Sequence, residues 1–132
     1  PEAYYGASVH HFPNLFMMLG PNTGLGHNSM IYMIESQANY IIDAVKKMLK
    51  QDLKSIEVRK NVQDKFNEEI QQKLVGTIWM SGCKSWYLNE NGKNYTVWPG
   101  FTLEFRNRTK QINMEDYIRE KNTVKKIEPE MV

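Results

Sequence analysis

The chain has 132 residues, enough for one domain with one core. Its formal charge of +2, with lysines and acids interleaved, gives no ground for a nucleic-acid partner. A single cysteine, Cys83, rules out an internal disulfide framework and suits a reducing, cytoplasmic compartment. The sequence opens "PEAYYG" without an initiator methionine, which leads us to expect a piece of a longer protein. No signal peptide is visible, and the apolar run "NLFMMLG" is too short to span a bilayer, so no membrane partner is expected.

In chain order, residues 1–11 are aromatic and irregular. Pro13 then marks a turn, because it fixes its own φ and pushes Phe12 out of the helical region. The continuous apolar run 15–19 predicts a strand covered on both faces. Behind it, "GPNTGLGHNS" crowds glycines and a proline into a loop, and an apolar helical pattern starts at once. Asn28 is the expected N-cap of a first helix over 28–50. Its stripe is Met30, Ile34, Ala38, Ile41, Val45 and Met48, widened by Ile31, Ile42 and Leu49. So broad an apolar face belongs to a central helix, and it should leave an uncovered patch or drive self-association.

After a linker at 51–57, in which "SIEV" reads as extended, a second helix is expected over 59–75. Its narrow stripe is Val62, Phe66, Ile70 and Leu74, and Gly76 is its C-cap. The next segment holds Trp79, Trp86 and Trp98 together with several turn signals, and reads as short strands and loops. In it "FTLEFR" alternates apolar and polar residues, as a strand would. A short helix over 114–121 and a charged tail finish the chain. The expected class is therefore α+β: two main helices, a short N-terminal strand, little sheet and no complete Rossmann unit.

The loop carries the most chemistry. A helix N-terminus leaves backbone N–H groups unpaired and carries partial positive charge, and glycines let a ligand approach that backbone. No Lys, Arg, Asp or Glu occurs between Gly20 and Ile34. A ligand here is held by main-chain dipoles and by Asn22, Thr23, Asn28 and Ser29, which suits a polar, delocalised edge better than a bare triphosphate. "GLGHNS" mimics a dinucleotide fingerprint, yet it has Ser at the third glycine. The interval that should hold a second strand ending in an acid lies instead inside the first helix. A plain connecting turn is the competing reading of the same residues.

Other candidates are weaker. His10 and His11 are adjacent, so their side chains should diverge in an extended chain and act as surface or core polar groups. His27, beside the helix start, is the better histidine candidate. Cys83 reads as a structural thiol and the tryptophans as aromatic core. Zinc-ligand spacing, a Walker-type loop and a Ser–His–acid set are absent.

Taken together, "FPNLFMMLGPNTGLGHNSMIYMIESQANYI", "GCKSWYLNENGKN" and "WPGF" closely resemble the C-terminal part of flavin-containing monooxygenases of the Baeyer–Villiger type. The resemblance implies an FAD- and NADPH-dependent parent that inserts oxygen into a small-molecule ketone or oxygenates a soft heteroatom. It implies that residues 1–50 complete the FAD-binding domain, and that 51–132 form a helical and aromatic-loop extension. It places Asn22, Gly24, Gly26, Asn28, Ser29 and Met30 along the flavin, with the Met30 N–H facing a flavin carbonyl. Trp86 matches the family's tryptophan near the nicotinamide cofactor and substrate, and Lys93 and Asn94 match the turn after it. The glycine fingerprints for both dinucleotides and the family's arginine near the flavin are not in these 132 residues, so the piece alone is expected to be inactive. The alternative is a stand-alone, non-catalytic helical binding or interaction domain.

Overall fold

In the computed structural model, residues 1–24, 29–75, 90 and 92–122 are described. The elements are helix α1 (Met30–Lys50), strand β1 (Leu53–Val58), helix α2 (Lys60–Leu74), helix α3 (Thr102–Arg108), a 3₁₀ turn at Met114–Asp116 and strand β2 (Tyr117–Lys121). The class is α+β, as expected, and among the described residues the sheet is one antiparallel pair. Among the described residues, no helix is long and apolar enough to cross a membrane.

Both main helices lie close to their predicted spans. Helix α2 buries Phe66, Ile70 and Leu74 of its predicted stripe, and Arg59 stands at its N-cap. The predicted C-cap, Gly76, lies outside the described residues. β1 and β2 pair from Val58↔Tyr117 to Leu53↔Lys121, with an irregularity between Leu53 and Ser55. That irregularity has a purpose: Leu53 lies three residues from Ile56, so a regular strand would place them on opposite faces. The extra residue restores Leu53 to the buried side with Ile56 and Val58.

Three sequence expectations are corrected. Residues 15–19 form no strand, and Leu15, Met18 and Leu19 are exposed. Among the described residues no strand pairs with them, and Met17 N–H donates to Ala7 O (2.8 Å). "FTLEFR" is helical, not extended. On a helix Glu104, Phe105 and Arg108 share one face. There Phe105 is fully buried, Glu104 pairs with Lys73 of α2 (2.9 Å) and Arg108 pairs with Glu69 of α2 (2.8 Å). The period-2 alternation instead leaves Phe101 and Leu103 exposed. Residues 114–121 form a 3₁₀ turn and then β2. Asn113 caps the turn by accepting the Glu115 N–H (3.1 Å), and only Tyr117 of the strand is buried.

The core is aromatic and closed by the irregular N-terminus. Tyr4 and Tyr5 pack on Phe66, with ring centroids 5.3 and 4.7 Å away, while Trp98 and Phe105 meet edge to face at 5.0 Å. Tyr5 and Gly6 both have positive φ, at the centre of a tight turn closed by Ala7 N–H to Tyr4 O (3.0 Å), which folds this segment back into the core. Buried hydroxyls are chained: Ser8 Oγ lies 2.8 Å from Tyr117 OH, which lies 2.7 Å from Tyr40 OH.

Burial pushes the Tyr117 phenol up to about 12 and raises Tyr40 well above its ordinary value of 10.0, the Tyr117 hydroxyl adding to the shift in Tyr40. The folded state holds these protons more tightly than the unfolded chain. Their stabilisation is therefore complete below about pH 10 and is lost as pH rises from about 10 to about 12. Circular dichroism and tyrosinate absorbance recorded together should show unfolding and ionisation rising as one transition in that window. Ionisation that precedes unfolding would contradict this linkage.

Candidate functional site

The glycine loop is stitched to a distant segment. Asn22 N–H donates to Tyr95 O (2.8 Å), Gly24 N–H to Thr96 O (2.7 Å) and Trp98 N–H to Gly24 O (2.9 Å). Asn22, at φ +58 and buried, spends both Nδ2 hydrogens on Asn94 O (2.8 Å) and Val97 O (3.0 Å). Asn94 in turn accepts the Thr96 and Val97 N–H groups at 2.9 and 3.1 Å, and its carbonyl takes a bond from Gln71 of α2 (2.7 Å). Residues 22–24 thus run beside 94–98 like two short parallel strands. The Asn22 Oδ1 is buried without a hydrogen-bond partner, as is the Asn94 Nδ2.

The glycines here serve backbone-to-backbone contact. A Cβ on Gly24 would stand 2.7 Å from Thr96 O, and a Cβ on Gly20 would run into the Gly6 backbone. Gly24→Ala is accordingly expected to destabilise the chain by about 1–3 kcal/mol through overpacking. Chemical denaturation of the 132-residue chain measures this, and an unchanged midpoint would contradict it.

The helix start stands beside this stitched loop. Ser29 is the N-cap of α1, extended at φ −72 and ψ 123, and its side chain makes no capping hydrogen bond. First-turn N–H groups are therefore not taken by the cap side chain, and no acidic residue lies in that turn. One turn further on, buried Gln37 donates to Tyr5 O (2.9 Å) and accepts the Leu19 N–H (2.7 Å). It fixes α1 to the chain on the near side of the loop. Between these parts lies a cleft of about 510 Å³, lined by Leu19, Gly20, Thr23, Gly24, Met30 and Tyr95 among others, and among the described residues no charged side chain lines it.

Of the residues singled out in the sequence, Gly24 and Met30 line this cleft and Ser29 stands at its edge of α1. Asn22 holds the loop from behind. Gly26, His27, Asn28, Cys83 and Trp86 lie outside the described residues. Sequence reasoning missed Gln37, and it placed Asn94 in the turn after Trp86 without seeing that it positions the loop. A buried amide inside an apolar helical pattern was the available signal for Gln37. The histidine expectation is corrected: His11 has φ +72, so the rings do not diverge but lie 4.1 Å apart.

The chain is similar to part of proteins named FAD-binding monooxygenases, 38% identical over 123 residues to one of Aspergillus niger, with 89% of this chain and 20% of that protein covered. More particularly, the chain is similar to part of the Baeyer–Villiger monooxygenases. It is 54% identical over 119 residues to a Baeyer–Villiger monooxygenase of Pseudomonas aeruginosa, covering 89% of this chain and 23% of that protein. It is 41% identical over 118 residues to one of Streptomyces coelicolor, covering 88% and 23%. Among solved structures, cyclohexanone monooxygenase from Rhodococcus sp. Phi1 bound to NADP+ superposes with a TM-score of 0.76 at 26% identity, over 92% of this chain and 24% of that one. Steroid monooxygenase bound to NADP, at 18% identity and a TM-score of 0.78, shares the fold over 92% of this chain and 23% of its own. No family model matches. The chain spans about a fifth to a quarter of the length of these relatives.

Proposed function

We propose that this chain is the C-terminal part of an FAD- and NADPH-dependent monooxygenase and supplies one wall of its flavin site. The observation that carries this reading is the uncharged, backbone-led cleft at the start of α1. A neutral, delocalised isoalloxazine edge suits a wall whose described lining carries no charged side chain. Met30 and Ser29, with Gly26 and Asn28 before them, present main-chain donors to that edge. Gly24 keeps the loop tight against 94–98, and Asn22 and Gln37 position it. Trp86 serves the nicotinamide cofactor and substrate side. Residues 1–50 complete the FAD-binding domain, and 51–132 form the extension. When bound, the flavin supplies the oxygen chemistry, directed at a ketone or a soft heteroatom. The piece alone is inactive.

Helix α1 supports the same reading. Its buried side holds Met33, Ser36, Gln37, Tyr40 and Ala44. The aliphatic residues Ile31, Ile42, Val45 and Leu49 are 45–77% exposed. At ~100° per residue the two groups point roughly 150° apart, so α1 is a central helix with its larger apolar side uncovered here. The remainder of the FAD domain is the cover this face fits. The isolated chain should bind a dye for exposed apolar surface or self-associate in light scattering, and the longer protein should do neither by this face. A monomeric, dye-silent chain would contradict this.

The functional reading is tested on the longer protein. It should purify with one FAD per chain and oxidise NADPH faster when a ketone or thioether is added. Failure to take up FAD would overturn the proposal.

A further inference from the structure

Away from the cleft, the residues 10–14 are bolted along the free edge of β1. Asn14 N–H donates to Ile56 O (2.9 Å), and the Asn14 side chain accepts the Ile56 N–H (3.0 Å) and donates to Lys54 O (3.0 Å). His10 N–H is held by Gln63 of α2 (2.8 Å). His11 N–H donates to Glu57 Oε1 (2.7 Å). His11 at φ +72 and Asn14 at φ +59 are both left-handed, and these bonds hold them there.

The result is a cluster that the sequence does not suggest. A ring nitrogen of His10, one of His11 and a carboxylate oxygen of Glu57 all lie within 4.8 Å of one another. His10 and Glu57 are largely buried at 17% and 22% side-chain exposure, and His11 closes the cluster from the solvent side. His10 Nδ1 stands 3.3 Å from Glu57 Oε1. Two ligand atoms around a tetrahedral zinc ion, each bonded at about 2.0–2.1 Å, are separated by about 3.3 Å. That edge of a coordination sphere is therefore already set. The exposed His11 ring needs only a side-chain rotation to reach a common centre.

We propose that His10, His11 and Glu57 form a binding site for a divalent transition metal, zinc being the expected ion. Two imidazoles and one carboxylate are a ligand set for zinc, copper or nickel rather than for calcium or magnesium. The His10 Nδ1 now lies 3.0 Å from Val58 O, a contact in which the nitrogen donates. On metal binding the imidazole proton moves to Nε2, and Nδ1 turns its lone pair to the ion. Glu57 Oε1 is already oriented by the His11 N–H, as a ligating carboxylate is by its outer partner. Three protein ligands leave at least one position to water. The ion clips the 10–14 turn to β1, and so fixes the N-terminal segment that carries Tyr4, Tyr5 and the approach to the glycine loop. This site is independent of the flavin reading.

The test is zinc titration of the chain against a chromophoric chelator, with cobalt(II) absorption as a second probe. One zinc per chain is expected, with visible cobalt bands of a four-coordinate site and a higher unfolding temperature in zinc. His11→Asn keeps a residue suited to positive φ and removes a ring ligand. Glu57→Gln keeps an acceptor for the His11 N–H and removes the carboxylate. Each should weaken zinc binding by roughly tenfold or more, with the metal-free unfolding temperature little changed. Less than one zinc per chain at saturation, or affinity untouched by both substitutions, would overturn the site.

Discussion

Phe105→Ala is expected to lower the stability of the 132-residue chain by about 3–5 kcal/mol, the range for deleting a fully buried aromatic ring. Phe105 has no exposed surface and lies at the meeting point of three parts of the fold. Its ring meets Trp98 at 5.0 Å and Tyr5 at 6.2 Å, both edge to face. On the same face of α3, Arg108 makes a two-pronged pair with Glu69 (2.8 and 3.1 Å), bonds the Tyr5 hydroxyl (3.2 Å) and lies over the rings of Tyr5, Phe66 and Trp98. Removing the phenyl ring leaves a cavity beneath this charged clamp, which cannot collapse without pulling Arg108 off Glu69. Denaturant unfolding followed by tryptophan fluorescence measures the loss. A change below about 1 kcal/mol would mean that the site relaxes and that α3 is not seated by Phe105.

Why α3 escaped sequence reasoning is clear from these same residues. "FTLEFR" places apolar groups at every second position, and local pattern alone reads that as a strand. What decides the outcome is nonlocal: Glu69 and Lys73 on α2 wait for partners at i and i+4 spacing, which only a helix offers. β2 was unreadable for the opposite reason. Its residues after Tyr117 are exposed, so no face of it is marked, and its backbone pairing with β1 supplies the order. The helices α1 and α2 were legible because long periodic stripes carry their own phase. Even so, α1 turns a different side inward from the one its aliphatic stripe marks. The core of this chain takes the Gln37 amide and the Tyr40 hydroxyl, while Met30, Ile34, Ala38, Ile41 and Met48 are half-buried and Ile31, Ile42, Val45 and Leu49 face out. Such a stripe describes the neighbour a helix needs, and among the described residues Ile31, Ile42, Val45 and Leu49 have no such cover.

The local character of the glycine loop was legible, and its packing was not. The absence of charge and the start of a helix behind it are properties of adjacent residues, and both hold among the described residues of the cleft. That Gly24 is pressed against Thr96, and that Asn22 reaches Asn94 and Val97, depend on contacts more than seventy positions away along the chain. No local pattern contains them. The glycines were read as room for a ligand, whereas Gly20 and Gly24 make room for other backbone. On the proposed reading, the donors left for a cofactor are then those of the α1 start.

Met30→Pro in the full-length protein isolates one of those donors. Met30 is the first residue of α1, where the N–H has no partner within the helix and proline's φ is already helical. Ser29 before it sits at φ −72 and ψ 123, inside the region a residue preceding proline adopts. The substitution should therefore fold normally and delete a single N–H, together with the Met30 side chain. If that N–H faces the flavin's pyrimidine edge, its loss removes a charge-assisted hydrogen bond worth roughly 1.5–3 kcal/mol, because reduction places negative charge on that edge and a helix N-terminus favours it. FAD should bind roughly 10–150-fold more weakly, or the reduction potential should fall by the equivalent energy. Met30→Ala keeps the N–H and loses the side chain, so it should retain both properties. Trp86→Ala should differ again, holding FAD while impairing NADPH use or oxygenation. A flavin titration and a potential measured on the three variants separate these outcomes. Should Met30→Pro match the parent protein in both, the α1 start is a connector and the flavin lies elsewhere.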